Sequence, residues 1–377
     1  MGSIRRSLKS LDFLLILLVC VISIFGIIVI GSATSASQFR AGEQSWQQIL
    51  FAAGLFLMMA TALIDYHFIT KFYIAIYIIN LVLLAVLLIM PAPDGYSTAR
   101  TLRFGSYSIL PSEFAKIFMI LFLAKFIDKN SHSVNRVSTL FLYALLTLVP
   151  AFFIMEQPSL SASMVVLVIS LAILFVGKLD YKIVITSVSI VLPVVSIFIS
   201  DLRRETPIFI SKFLADYQLR RIMPLITPPD DRDPDFFQTR QSINAIGSGQ
   251  LSGKGLYNGM INVPESHNDF IFAVIGEEFG FIGSCVFLIL IFVIILKCFL
   301  IAHRASDLLG SLIASAVGTM LAFQVFINVG VATGMLPNTG MAFPFVSYGG
   351  SSMWVSMIAI GLVLNVSMCK KKSIFEG

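Results

Sequence analysis

Three acids, Asp269, Glu277 and Glu278, stand where the polar stretch Val263-Pro-Glu-Ser-His-Asn268 runs without a break into a very long apolar segment. An ionised carboxylate at the edge of hydrocarbon is costly, and acids so placed serve most often as binding groups or proton acceptors. Asp269 falls where the free N–H groups and the positive dipole end of a starting helix favour an acid, so capping is the alternative to chemistry. At roughly 100° per residue, Glu277 is about 80° around the helix from Asp269 and Glu278 lies on the opposite face. These two are expected to accept hydrogen bonds from neighbouring helices or loop amides, leaving Asp269 as a single acting carboxylate.

Pro111-Ser-Glu-Phe-Ala-Lys116 places Glu113 and Lys116 one helical turn apart. They can neutralise each other as an ion pair, or Lys116, fixed by Glu113, can offer positive charge to an anionic substrate. Arg100 and Arg103, just upstream, can contact lipid headgroups or bind a pyrophosphate. From Gly334 to Ser352, glycine and proline are dense enough to predict non-helical backbone at membrane depth, tolerated only inside protein or along a cavity. The hydroxyls of Ser347, Tyr348, Ser351 and Ser352 suit phosphate or sugar there, although small residues also serve close helix packing. Gly249 to Lys254 fails the spacing of a phosphate loop, because Lys254 is followed by Gly255. His67, His132, His267 and His303 are scattered, so no metal-ligand cluster is visible.

The elements that must position these groups are membrane helices. The chain is 57% hydrophobic and 12% charged over 377 residues, a composition that would leave large exposed apolar patches on a soluble domain. Runs long enough to cross roughly 30 Å of hydrocarbon fall at 11–33, 46–64, 72–90, 109–127, 138–155, 161–177, 182–200, 269–301, 308–332 and 343–368. The expected fold is an all-α polytopic membrane protein of ten transmembrane helices, one domain over 1–377. The net charge of +5 reflects lysines and arginines sorted by side of the membrane, which excludes a nucleic-acid patch. The positive-inside rule puts both termini in the cytoplasm and makes 201–268 a large fourth extracellular loop. The first run could be read as a signal peptide, but its length fits an uncleaved span. Cys20, Cys285, Cys298 and Cys369 lie in or just inside predicted helices, so no disulfide framework is expected. The run 269–301 would be roughly 50 Å long, so it must tilt, kink or project, near Gly276 or Gly280.

Four stretches together resemble the SEDS family, the RodA, FtsW and SpoVE proteins of bacterial cell-wall synthesis. They are Pro111 to Lys116; Gln241-Ser-Ile-Asn-Ala-Ile-Gly-Ser-Gly249 with Gly253-Lys-Gly255; Pro264 to Glu278; and Thr333-Gly-Met-Leu-Pro-Asn-Thr-Gly340 with Pro344-Phe-Val-Ser-Tyr-Gly-Gly-Ser-Ser352. The resemblance implies a peptidoglycan glycosyltransferase that polymerises lipid II on the outer face of the bacterial cytoplasmic membrane, beside a class B penicillin-binding protein as transpeptidase. It implies Asp269 as the essential aspartate, a general base or hydroxyl-positioning group. Arg100, Glu113 and Lys116 match family positions, and Lys254, Glu265, His267, Ser347, Gly349, Gly350 and Ser351, within the shared motifs, are carried over as substrate-binding candidates. Lys116, Arg100 or a divalent cation, Mg2+ or Mn2+, would meet the developing pyrophosphate charge. A lipid II flippase and a non-catalytic scaffold that recruits a penicillin-binding protein are the alternatives. Charge clustered in the outer half favours catalysis over translocation. The chain departs from the family pattern at Ser159, where an aspartate is usual, at Leu110 for glutamine and at Thr101 for tryptophan.

Overall fold

The computed structural model describes residues 11–35, 42–90, 101–104, 107–157, 159–183, 185, 234–261 and 263–369. In hydrocarbon a backbone N–H or C=O finds a partner only inside its own segment, so long apolar runs become helices. In chain order these are α1 (Phe13–Ser35), α2 (Glu43–Leu63), a short α3 (Tyr66–Lys71), α4 (Tyr73–Ile89), α5 (Pro111–Lys129), α6 (Val137–Glu156), α7 (Leu160–Val176), α8 (Pro234–Ser248), α9 (Ile271–His303), α10 (Leu308–Ala332) and α11 (Gly350–Met368). Among the described residues, six helices are long and apolar enough to cross a membrane: α1, α2, α6, α9, α10 and α11. The shorter α4 and α7 are apolar as well. All but Lys182, Ile183 and Ile185 of the expected run at 182–200, the first half of the loop at 201–268, and Arg100 lie outside the described residues.

Two boundaries differ from expectation. The last helix starts at Gly350, not 343. Pro344 has no N–H to give a helix, Phe345 adopts φ +67°, and the Ser347 hydroxyl accepts the Phe343 N–H at 2.7 Å, so the approach to α11 is a run of turns. The stretch from Thr333 to Gly349 is non-helical throughout, as its glycines and prolines predict. At the other boundary α9 begins at Ile271 with Phe270 as its N-cap, so Asp269 stands one residue ahead of the cap, in a turn.

α10 and α11 are the most enclosed of the spanning helices. α11 packs along α2, α9 against α10 and α1, and α7 against α10, α5 and α6. Between α4 and α5 a hairpin of β1 (Leu102–Phe104) and β2 (Tyr107–Ile109) pairs Leu102 with Ile109 in antiparallel register. The Leu110 N–H after it donates to Ser351 Oγ at 3.0 Å, tying the hairpin to α11.

The long helix α9 is broken at Gly280, whose φ of 65° and ψ of −166° are essentially reserved for glycine. A loop that precedes α9 in sequence satisfies the backbone groups this break frees. Phe281 N–H donates to Gln250 O (2.8 Å), Ile282 N–H to Leu251 O (3.1 Å), Lys254 N–H to Glu277 O (3.0 Å) and Gly255 N–H to Glu278 O (2.9 Å). The two backbones approach so closely that a Cβ on Gly249 would lie 2.0 Å from the Gly276 carbonyl oxygen. Gly249→Ala must therefore push the loop off the helix. We expect it to destabilise the protein by about 1–3 kcal/mol, as overpacking does, read as a lower unfolding temperature in detergent.

Candidate active site

The two acids beyond Asp269 both accept hydrogen bonds from one loop, the role expected of them. Glu277 is buried, and its Oε1 accepts from Met260 N–H (2.9 Å), Ile261 N–H (3.2 Å) and Lys254 Nζ (2.6 Å). Glu278 Oε1 accepts from the Ser32 hydroxyl of α1 and from Tyr257 N–H. Lys254, expected to bind substrate, is thus held in an ion pair with Glu277. Glu277→Ala would strand two amide donors and an ammonium, costing about 1–3 kcal/mol. Glu277→Gln, which keeps an acceptor, should cost less. Thermal unfolding and limited proteolysis between Lys254 and Ile261 check both.

Asp269 is positioned through its backbone. His267 O accepts from Tyr348 N–H at 2.9 Å, Asn268 O from Ser347 Oγ at 2.6 Å, and Asp269 O from Asn328 Nδ2 at 2.9 Å. Three consecutive carbonyls are each captured by a different residue, which fixes the turn ahead of α9. Asn328, in the apolar α10, also donates to Met341 O at 2.7 Å. Gln47, buried in α2, donates to Ser347 O and accepts from Gly349 N–H, both at 3.3 Å. Ser347, a substrate-binding expectation, is buried here as a bracing residue.

The turn opens on a cavity of about 650 Å³. α5 contributes Glu113 and Lys116, the turn Glu265, Asn268 and Asp269, α8 Gln238, the stretch before α11 Asn338, Gly340, Met341, Tyr348 and Gly349, and α11 itself Ser351 and Ser352. Lys116 Nζ lies 2.6 Å from Glu113 Oε2, and the lysine side chain is only 1% exposed. An ammonium so enclosed needs a countercharge, and Glu113 supplies it. Asn268 Nδ2 donates to Glu265 Oε2 at 3.1 Å, and Asn338 Nδ2 to Gln238 Oε1 at 3.0 Å. Among the described residues the cavity therefore brings together one cation paired with Glu113, two further carboxylates and several amides, which offer donors and acceptors to a hydroxyl-rich ligand. Thr101, Leu110 and Ser159, the positions that depart from the family pattern, line the same space.

Of the expected site residues, Asp269, Glu113, Lys116, Glu265, Gly349 and Ser351 line this cavity. Gly350 lines a neighbouring cleft. His267 is buried beside it, with Nε2 3.8 Å from Glu43 Oε2 and 3.7 Å from Glu265 Oε2. Sequence reasoning missed Gln47, Asn268, Asn328, Asn338 and Gln238. The signal for Gln47 and Asn328 was present, since an amide inside an apolar helix needs a partner. Among the described residues no group of three or more His, Cys, Asp or Glu side chains can hold a metal ion.

Helices long and apolar enough to cross a bilayer, packed around a charged cavity, define a polytopic membrane protein. A family model described as "cell cycle protein", FtsW/RodA/SpoVE, matches residues 12–372, and the chain belongs to that family. Among curated relatives, it is 33% identical to the stage V sporulation protein E of Bacillus subtilis, over 95% of this chain and 97% of that one. It is 33% identical to the peptidoglycan glycosyltransferase MrdB of Escherichia coli, over 96% and 94%, and 31% identical to a probable peptidoglycan glycosyltransferase FtsW of Trichlorobacter lovleyi, over 96% and 94%. Among solved structures, a chain from a study of how a peptidoglycan synthase complex coordinates polymerization and crosslinking superimposes with a TM-score of 0.78 at 28% identity, over 95% and 97% of the two chains. The rod shape determining protein RodA of Thermus thermophilus gives 0.68 at 27% identity, over 95% and 96%. The chain is a multi-pass protein of the bacterial cytoplasmic membrane.

Proposed function

We propose that this chain is a peptidoglycan glycosyltransferase that polymerises lipid II into glycan strands on the outer face of the cytoplasmic membrane, for cell-wall elongation or division. The observation that carries the reading is one cavity of about 650 Å³ in which Asp269 faces the same space as the Lys116–Glu113 pair. The GlcNAc 4-hydroxyl of one lipid-linked saccharide attacks the anomeric carbon of another. A new C–O bond forms there as the bond to pyrophosphate breaks, and the electron pair leaves with the polyprenyl pyrophosphate. Asp269 takes the hydroxyl proton or holds the hydroxyl in line. Lys116 faces the charge that grows on the departing oxygens, and a buried ammonium is effective because little water screens it. Glu265, Asn268, Asn338 and Gln238 offer acceptors and donors to sugar hydroxyls.

The supporting topology is ten spans with both termini inside and the loop from 201 to 268 outside, argued from the sorting of lysines and arginines. A class B penicillin-binding protein is the proposed partner, supported by the similarity to a chain of a peptidoglycan synthase complex. The test is purified protein reconstituted with lipid II, with and without its transpeptidase, for wild type and Asp269→Ala. Strands from wild type alone support the reading. Lipid transfer across the bilayer that ignores Asp269→Ala, without polymer, would replace it with transport, and complex formation with neither activity would leave a scaffold.

A further inference from the structure

The start of α7, a helix of 17 residues, opens on the polar cavity. Ser159 at its N-cap, then Ser161, Ala162 and Val165, line that space. The first N–H groups of a helix have no partner within it and carry the positive end of its dipole, so an acid or a capping side chain usually meets them. Among the described residues neither is present. The first turn of α7 holds no acid, and the Ser159 hydroxyl makes no capping bond, although its carbonyl accepts the Ser163 N–H at 3.2 Å.

The hydroxyls themselves are a second observation. Ser159 and Ser161 are each only 3% exposed, and among the described residues neither hydroxyl has a hydrogen-bond partner. A buried hydroxyl normally finds one. Ser163, one turn on from Ser159, shows what a structural serine does here: it stands away from the cavity lining and donates to Ala151 O of α6 at 3.0 Å. Two O–H donors and the amides of a helix start therefore share one wall of the cavity with nothing to receive them. Such a set of donors suits an acceptor-rich group of negative charge, and phosphate is the usual one. The carboxylates that border the cavity, Glu113, Glu265 and Asp269, stand on α5 and on the turn ahead of α9, so the α7 wall is the side without an acid. α5, which carries Lys116, packs against α7.

We propose that the start of α7 is a phosphate subsite, in which the Ser159 and Ser161 hydroxyls and the first amides of the helix hold one phosphate of a lipid-linked diphosphate. The proposal rests on the function argued above. Ser159 is a position where the family pattern has an aspartate, whose charge would repel a phosphate. The subsite is thus a property of this chain's own serine at 159, and it adds a second point of attachment for the diphosphate besides Lys116.

The probes are inorganic pyrophosphate and undecaprenyl pyrophosphate, bound at equilibrium to the full-length protein in detergent. Ser159→Asp should weaken both about tenfold, a modest share of the repulsion between like charges close together near a protein surface. The same substitution gives the helix start an acid, so the unfolding temperature should hold or rise. Affinity and stability then move apart, which a misfolded variant cannot imitate. Ser161→Ala should cost both probes about tenfold as well, the share of one hydrogen bond to a charged group, whereas Ser163→Ala, which removes only the bond to Ala151, should leave both affinities unchanged. No fall with Ser159→Asp and Ser161→Ala overturns the proposal, as does an equal fall in all three variants, which would mean that the serines act through the packing of α7. A fall for inorganic pyrophosphate alone would make the wall a site for a free anion and overturns the lipid-linked assignment. Binding is read without turnover, so the two ideas fail separately. Absence of Asp269-dependent polymer would sink the glycosyltransferase reading alone, and an intact polymerase whose diphosphate affinity ignores Ser159→Asp would sink this one.

Discussion

Asp269→Asn should lose glycan polymerisation from lipid II by a factor of about 10²–10⁴, the usual contribution of a positioned proton acceptor, while unfolding at nearly the wild-type temperature. Asparagine has the same shape, and the turn is held through the carbonyls of His267, Asn268 and Asp269, none of which the substitution touches. What disappears is the negative charge, and with it the ability to take a proton. The fall should appear in kcat with KM little changed, because an interaction gained only as the hydroxyl attacks does not help ground-state binding. Strands made at the wild-type rate by the Asn variant would end the assignment of Asp269 as the base.

Glu113→Ala should cost about 3–5 kcal/mol of stability, the penalty for stranding one partner of a buried ion pair. Lys116, 1% exposed, would keep its ammonium 2.6 Å from a carboxylate that is no longer there. The double variant Glu113→Leu with Lys116→Met should regain most of that stability, since two apolar side chains of similar bulk leave no uncompensated charge. It should nevertheless be inactive, because the cation facing the departing pyrophosphate is gone. Thermal unfolding and polymerisation measured on the same preparations separate these effects. A double variant that is both stable and active would make the pair a packing device only.

Much of the frame was legible in the sequence because membrane helices are written as composition. The apolar runs, the break near Gly280 and the non-helical stretch before α11 follow from run length, glycine and proline. The role expected for Glu277 and Glu278 was legible too, and the loop amides that they accept from are Met260, Ile261 and Tyr257. Partners distant in sequence were not legible. Nothing near Lys254 says that its partner is Glu277, and nothing near Gln47 says that it braces Ser347 and Gly349 some 300 positions later. The start of α11 was misread because hydropathy cannot see Pro344 and the positive φ of Phe345 interrupt an apolar run.

In the proposed orientation the break at Gly280 divides the helix by depth. The segment Phe281–His303 is about 34 Å long at 1.5 Å per residue, enough by itself to cross roughly 30 Å of hydrocarbon. The remaining piece, Ile271 to Phe279, adds about 13 Å that the hydrocarbon does not need. In the proposed orientation it stands at the level of the phosphates and glycerol backbones, with Asp269 at its tip. In that orientation the carboxylate that looked costly at the edge of an apolar run stands in the stratum where a lipid carries its pyrophosphate, and Ile271 to Phe279 act as its pedestal.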